Sequence, residues 1–277
     1  MSIIRCRDKV LDTSKHTLVM GILNVTPDSF SDGGDNFGTE DAIRNAMAMI
    51  EAGADIIDVG GESTRPGFTK ISDEEEIGRI VPVIEYLANN TDVVISVDTY
   101  KSQVAKAALN AGAHIINDIE ALNDPDMASV VASFDAGVVL MYNARLYPHE
   151  GSVDVASYAS DVLKVQAQKA LDAGITKDSI IMDPGIGFGT TREQDAALIK
   201  DLDTLSIEGE YPVLLALSRK RLVAEVMGGE TSAKDRDETS LGLGIAGVSN
   251  GACMLRVHNV DLTVKALKGY DFIKGGK

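Results

Sequence analysis

The chain has 277 residues, with 26 Lys or Arg against 42 Asp or Glu, and so carries a formal net charge of −16. That balance excludes a nucleic-acid binder working by bulk charge. At 44% hydrophobic and 25% charged residues, with 26 Gly and 7 Pro, it is neither disordered, collagen-like nor disulfide-dense, and its length suits one α/β domain of about 250 residues.

Residues 1–15 mix Arg5, Arg7, Asp8 and Lys9 with short apolar pieces. They contain no signal-peptide core and nothing near the ~20 apolar residues of a membrane span, so neither targeting nor a membrane is expected. Cys6 and Cys253 have no metal-ligand spacing and no disulfide framework, which points to a cytoplasmic, reducing setting.

The first barrel-type strand is expected over 18–25, followed by an irregular segment over 27–38 and a helix over 40–51. A strand over 55–60 leads into a second irregular segment, 60–70, and a helix over 73–88. Then come strand 93–98 with helix 101–109, strand 114–118 with a short helix over 125–133, and strand 138–143 with helix 153–171. Strand 180–183 precedes helix 192–202, and strand 213–217 precedes helices 219–227 and 238–249. Strand 254–258 and helix 262–267 end the series. Helix ends recur as Ala52-Gly53-Ala54, Ala111-Gly112-Ala113, Ala136-Gly137-Val138, Ala173-Gly174-Ile175 and Asn250-Gly251-Ala252, because Gly enters the left-handed region past a helix without a Cβ penalty. Consecutive apolar residues in each strand indicate a parallel sheet covered on both faces. Eight strand–helix repeats are the signature of an α/β fold of the (β/α)₈ TIM barrel type, assigned as one domain over 1–277 with a core of about 17–268. A doubly wound open sheet stays open as an alternative.

Nearly every strand ends in a polar residue: Asn24, Asp58, Asp98, Asn117 with Asp118, Asn143, Asp183, Ser218 with Lys220, and Arg256 with His258. In a barrel these ends converge on one mouth. Each has a plainer reading beside this one. Asp98 could cap the following helix. Asp183, before Pro184 and Gly185, reads singly as a turn residue. Asp58 reads as a structural acceptor for backbone groups of the next loop. Arg219, Lys220 and Arg221 at a helix start could be solvated, although three cations there oppose the macrodipole. His258 could be a core imidazole, but Arg256 on the same strand face makes an anion site with it.

Gathering Arg65, Arg219, Lys220, Arg221, Arg256 and His258 at one mouth of so acidic a chain points to an anionic ligand. Asn24, with acidic neighbours such as Asp28, could help hold Mg²⁺, which is usually bound through oxygen ligands and substrate phosphates.

Seven phrases, in order, resemble the dihydropteroate synthase family of pterin-binding enzymes. They are Asn24-Val25-Thr26-Pro27-Asp28-Ser29-Phe30-Ser31-Asp32-Gly33-Gly34, Asp58-Val59-Gly60-Gly61-Glu62-Ser63-Thr64-Arg65-Pro66-Gly67, Ser96-Val97-Asp98-Thr99, Ile116-Asn117-Asp118-Ile119, Met182-Asp183-Pro184-Gly185, Ser218-Arg219-Lys220 and Arg256-Val257-His258. The resemblance implies a pterin-binding (β/α)₈ barrel joining 6-hydroxymethyl-7,8-dihydropterin diphosphate to p-aminobenzoate in folate biosynthesis. It further implies that Asp98, Asn117, Asp183 and Lys220 bind the pterin edge, with Met141, Ile119 and Phe188 on its faces. Asn24, Arg256 and His258 would take the diphosphate, with Mg²⁺ on Asn24. Thr64, Arg65, Pro66, Phe30 and Ser218 would shape the p-aminobenzoate pocket, and Asp98, Lys220 and Arg65 would act in catalysis. A homodimer through the last helices and sulfonamide targeting are implied too.

The chain departs from the family pattern at Tyr142, where His is common, at Thr190, where a basic residue is frequent, and at Asn259, where Asp often follows the His and which is expected to support the site from behind. Rival readings are a pterin-dependent methyltransferase, a silent pterin-binding paralogue and a Schiff-base aldolase using Lys220.

Overall fold

The computed structural model describes residues 3–26, 35–63, 70–152, 154–229 and 231–275. An antiparallel hairpin, β1 (Ile3–Cys6) with β2 (Lys9–Asp12), precedes the barrel. The barrel strands are β3 (Leu18–Asn24), β4 (Ile56–Gly60), β5 (Val94–Asp98), β6 (Ile115–Asp118), β7 (Gly137–Met141), β8 (Ile180–Asp183), β9 (Leu214–Leu215) and β10 (Met254–Val257). The helices between and after them are α1 (Asp35–Glu51), α2 (Asp73–Asn90), α3 (Ser102–Asn110), α4 (Met127–Ser133), α5 (Val155–Asp172), α6 (Arg192–Lys200), α7 (Arg221–Val226), α8 (Asp237–Ser249) and α9 (Val260–Lys274).

The eight strands pair in parallel in the order β8-β7-β6-β5-β4-β3-β10-β9. A parallel bridge between Met182 and Val213, with Met182 N donating to Pro212 O at 2.9 Å, joins the two ends and closes the sheet. The closure settles the choice between barrel and open sheet.

Side chains alternate across each strand, so one set fills the barrel and the other meets the helices. Leu18, Met20, Ile56, Val94, Ile115, Val139, Ile181, Leu214 and Met254 pack together inside the lower barrel with Ile4 and Cys6 of the hairpin. The outward set, including Val19, Ile57, Val59, Ile95, Val97, Ile116, Leu140 and Leu255, joins the helix-facing core. Because the lower layers are apolar and full, polar inward residues are left to the C-terminal end.

The hairpin is absent from the sequence expectation. It stops the N-terminal end of the barrel and is tied down by Arg7, whose Nη1 donates to Leu109 O at 2.8 Å and Ala113 O at 2.7 Å. Its strands are four residues each, too short to show a period. The last helix runs beyond the expected 262–267 because Asn259 accepts a hydrogen bond from Leu262 N and starts it early. Its final turn exposes Phe272 and Ile273, so amphipathic spacing fades there. α1 begins at Asp35, inside the segment expected to be irregular.

Candidate active site

Strand pairing places Asn24 beside Gly60, Gly60 beside Asp98 and Asp98 beside Asn117. These C-terminal residues therefore stand at one level around the mouth, with Met141 beside Asp183 at the same end. Arg256, two positions after Met254, points inward by the same parity.

One layer deeper, Asp58 is fully buried. It accepts hydrogen bonds from Ser96 Oγ at 2.6 Å, Asn117 Nδ2 at 3.2 Å and Arg256 Nε at 2.6 Å. The expectation that Asp58 serves backbone groups of the next loop is corrected, for its partners are side chains from three other strands. The reason is parity: Asp58 faces the barrel axis, where no loop backbone reaches.

Arg256 also donates through Nη2 to Asp98 Oδ2 at 2.6 Å. Burial works against its charge, yet Asp58 and Asp98 more than offset this and raise its pKa above the ordinary arginine value. Asp98 does not cap α3, which starts after Lys101 without a side-chain cap. Its Oδ1 is buried and meets no donor among the described residues. Burial pushes the Asp98 carboxyl up to about 7, with Arg256 opposing and Asp58 adding to the rise. A buried acceptor without a donor is rare and costly unless something else supplies one.

Asp183 combines the two readings given to it. Its Oδ1 accepts from Gly185 N at 2.7 Å, closing the turn, while burial raises its pKa against the pull of Lys220. Gly185 has φ +68°, and a Cβ there would lie 1.7 Å from Tyr142 O, so only glycine lets the chain turn beneath the mouth. Lys220 Nζ donates to Ile186 O at 2.7 Å and lies 4.6 Å from the Phe188 ring centroid. Burial draws it down to about 8, with Asp183 resisting. Met141 and Ile119 are both buried, and Asn143 Nδ2 donates to Ile119 O at 3.0 Å. Asn143 therefore positions the loop that carries Ile119, a role that its place at a strand end alone does not disclose.

Two residues from Lys220 and Arg256 respectively, Ser218 Oγ and His258 Nδ1 are 3.0 Å apart, and His258 N donates to the same hydroxyl at 3.2 Å. A cleft of about 400 Å³ opens there, lined among others by Asn24, His258, Asn259 and Asn45. Two of the cations expected at the mouth are already paired, although Arg219 still lines this cleft. Arg219 forms a two-point pair with Asp237, at 2.6 and 2.8 Å. Arg221 extends outward to Glu225, one turn along α7.

Of the three departures, Tyr142 and Thr190 are buried away from the mouth, while Asn259 lines the cleft. Tyr142 is buried on the helix side and donates to Tyr147 O at 2.9 Å. Thr190 Oγ1 donates to Asp195 Oδ1 at 2.5 Å, and Asn259 Nδ2 donates to Asp237 Oδ2 at 3.0 Å. Phe30, Thr64, Arg65 and Pro66 lie outside the described residues. Among the described residues no group of three or more His, Cys, Asp or Glu could hold a metal ion, and no helix is long and apolar enough to cross a membrane.

A closed barrel whose mouth holds three carboxylates, two partly buried cations and a carboxamide beside the apolar Met141 and Ile119 offers matched donors and acceptors to a polar ring. The chain belongs to the pterin-binding enzyme family, whose model, described as "Pterin binding enzyme", matches residues 20–258. Within it, the chain is similar to dihydropteroate synthases. It is 49% identical over 259 residues to that of Staphylococcus haemolyticus, covering 93% of this chain and 95% of the relative. It superposes on the Xanthomonas albilineans dihydropteroate synthase with 4-aminobenzoic acid at a TM-score of 0.92 and 40% identity, covering 99% of this chain and 98% of that one. The same organism's enzyme in complex with 7,8-dihydropteroate gives a TM-score of 0.89 and 38% identity, with 99% of each chain covered.

Proposed function

We infer that this protein condenses 6-hydroxymethyl-7,8-dihydropterin diphosphate with p-aminobenzoate, releasing pyrophosphate and forming 7,8-dihydropteroate. The reaction is that of a dihydropteroate synthase, a transferase of folate biosynthesis. The observation that carries the reading is the buried Asp98 Oδ1 in the polar layer, which meets no donor among the described residues. A pterin edge offers the N–H donors that oxygen lacks, while its carbonyl and ring nitrogen suit Asn117 and Lys220. Asp183 completes the edge, and Met141, Ile119 and Phe188 cover the faces of the ring.

In the reaction the bond between the pterin methylene carbon and the diphosphate oxygen breaks, and its electron pair leaves with pyrophosphate. Positive charge develops on the methylene carbon and spreads into the ring. Ionised Asp98 lies beside the ring and stabilises that charge, and Arg256 keeps the carboxylate aimed. The amine nitrogen of p-aminobenzoate forms the new C–N bond and gives up a proton to solvent or pyrophosphate. Its low basicity requires no dedicated enzyme base once the carbon is cation-like, so positioning supplies much of the rate. Arg256 and His258 take the diphosphate, and Thr64, Arg65, Pro66, Phe30 and Ser218 shape the p-aminobenzoate pocket. Arg65 and Lys220 join Asp98 in acting on the reacting groups.

Mg²⁺ belongs to the reading through Asn24 Oδ1. Among the described residues Asn24 offers a carboxamide oxygen at the cleft without a carboxylate cage, while Asp28 lies outside them; such an oxygen suits an ion that keeps its waters and takes substrate phosphate oxygens. When bound, it neutralises charge on the departing pyrophosphate. A homodimer through the last helices is supported by the exposed Phe272 and Ile273 of α9. The cytoplasmic setting is supported by the two free cysteines, Cys6 and Cys253.

The test is turnover. Purified protein with Mg²⁺ and both substrates is expected to release one pyrophosphate for each dihydropteroate formed. Pterin binding without any product would instead identify a silent binding paralogue.

A further inference from the structure

Away from the pterin cluster lies a second set of buried charges. Lys101 Nζ is 3.0 Å from Glu62 Oε2, 2.7 Å from Glu76 Oε2 and 2.9 Å from Ile71 O. The side chains of Lys101, Glu62 and Glu76 are only 13%, 3% and 1% exposed. Burying three charges is costly, and a hydrophobic trio of the same volume would serve stability at least as well. An arrangement of this kind points to a positional task.

The partners reveal which position is fixed. Glu62 belongs to the chain leaving β4, and Ile71 to the chain entering α2. Ile71 N donates to Glu62 Oε2 at 2.8 Å, so the carboxylate ties the departing strand to the returning one. Lys101 binds the same oxygen and Ile71 O, locking that tie from the β5 side. Tyr100 adds a third hold. Its hydroxyl donates to Glu62 Oε1 at 2.7 Å, and Lys70 Nζ lies 5.1 Å from its ring centroid. Arg79 Nη1 donates to Gly61 O at 2.8 Å, anchoring the departing end to α2. At Gly61, a Cβ would come within 2.8 Å of Ile80 Cγ2, so α2 presses directly on this end.

We propose that Lys101, Glu62, Glu76 and Tyr100 form a clamp fixing both ends of the 63–70 connection, and that Lys101 and Tyr100 are positioning residues for p-aminobenzoate capture. The inference rests on the reading that Thr64, Arg65 and Pro66, carried between those ends, serve p-aminobenzoate. Tyr100 and Lys101 follow Asp98 and Thr99 directly in the chain. The clamp therefore references the second substrate's residues to the strand that carries the pterin carboxylate.

The test is two-substrate steady-state kinetics on the full chain with Mg²⁺, together with calorimetry of pterin diphosphate binding. Lys101→Met is expected to raise the p-aminobenzoate KM about tenfold, equivalent to about 1.4 kcal/mol, while the pterin diphosphate Kd stays within about twofold. Because that variant leaves two carboxylates buried and could fail to fold, Tyr100→Phe is the second probe. It keeps the ring under Lys70, loses only the bond to Glu62, and is expected to raise the same KM about threefold. Tyr100→Leu, which loses the Glu62 bond and the ring contacts with both Lys70 and Lys101, should exceed it. A merely structural role would lower the melting temperature and leave both substrate constants unmoved, or shift them together, and either result overturns the clamp. Arg65→Ala separates the two levels of inference. An unchanged p-aminobenzoate KM in Arg65→Ala contradicts the assignment of the pocket. A raised KM there, with Tyr100→Phe unchanged, contradicts the clamp alone.

Discussion

Arg256 stands between two carboxylates and satisfies one oxygen of each, which leaves Asp98 Oδ1 as the open position of the cluster. If the charge of Asp98 acts on the developing cation, Asp98→Asn should reduce kcat about 100-fold or more while changing the pterin diphosphate Kd less than about fivefold. Equal losses in both would make Asp98 a binding group only. The same residue sets a pH dependence. Burial pushes Asp98 up to about 7, so its ionised, active fraction grows as pH climbs through that value. Burial draws Lys220 down to about 8, so its protonated fraction falls above that point. kcat/KM for pterin diphosphate should therefore rise on the acid side and decline on the basic side, with limbs belonging to the coupled cluster rather than to either group alone. Asp98→Asn should lose the acid limb and keep the basic one. A flat wild-type profile between about pH 6 and about 9 would remove this assignment.

At the scale of elements, the barrel repeat is written in the chain because each strand is apolar on consecutive positions and α1, α3, α5 and α8 are each followed by a left-handed glycine, Gly53, Gly112, Gly174 and Gly251; Gly137 instead opens β7, and Asp135 takes the left-handed turn after α4. The hairpin was not legible. Ile4 and Cys6 gain their meaning only from the barrel floor they cover, a set of contacts made far along the chain. Arg7 holds this plug by two carbonyls at the end of α3 and by its guanidinium, 5.8 Å from the Phe134 ring centroid. Arg7→Ala should therefore lower unfolding free energy in urea by about 1–2 kcal/mol, with kcat and both KM values unchanged. A change in kinetic constants at unaltered stability would show that the floor communicates with the mouth. β9 shrinks to Leu214–Leu215 because the strand joins β8 only through the Met182–Val213 bridge. The apolar run over 213–217 gave no warning of that.

For the molecule as a whole, legibility followed strand parity. Asn24, Asp98, Asn117, Asp183 and Arg256 were visible as polar residues at strand ends, and the closed sheet brings these inward-facing positions to one mouth. What parity did not disclose was partnership. Asp58 and Arg256 are 198 positions apart yet 2.6 Å apart in space, and no local pattern announces such a pair. For the same reason nothing local in the sequence pairs Arg219 with Asp237, whereas Arg221 and Glu225, four apart on α7, form a pair that helical spacing does disclose. The central claim is that the open oxygen of Asp98 awaits an N–H of the pterin ring. Its most direct test is a crystal structure of the complex with pterin diphosphate, reading the distance from Asp98 Oδ1 to the nearest ring nitrogen. A donor within about 3.2 Å is expected; a ring seated elsewhere, or that oxygen left facing only water, would contradict the account.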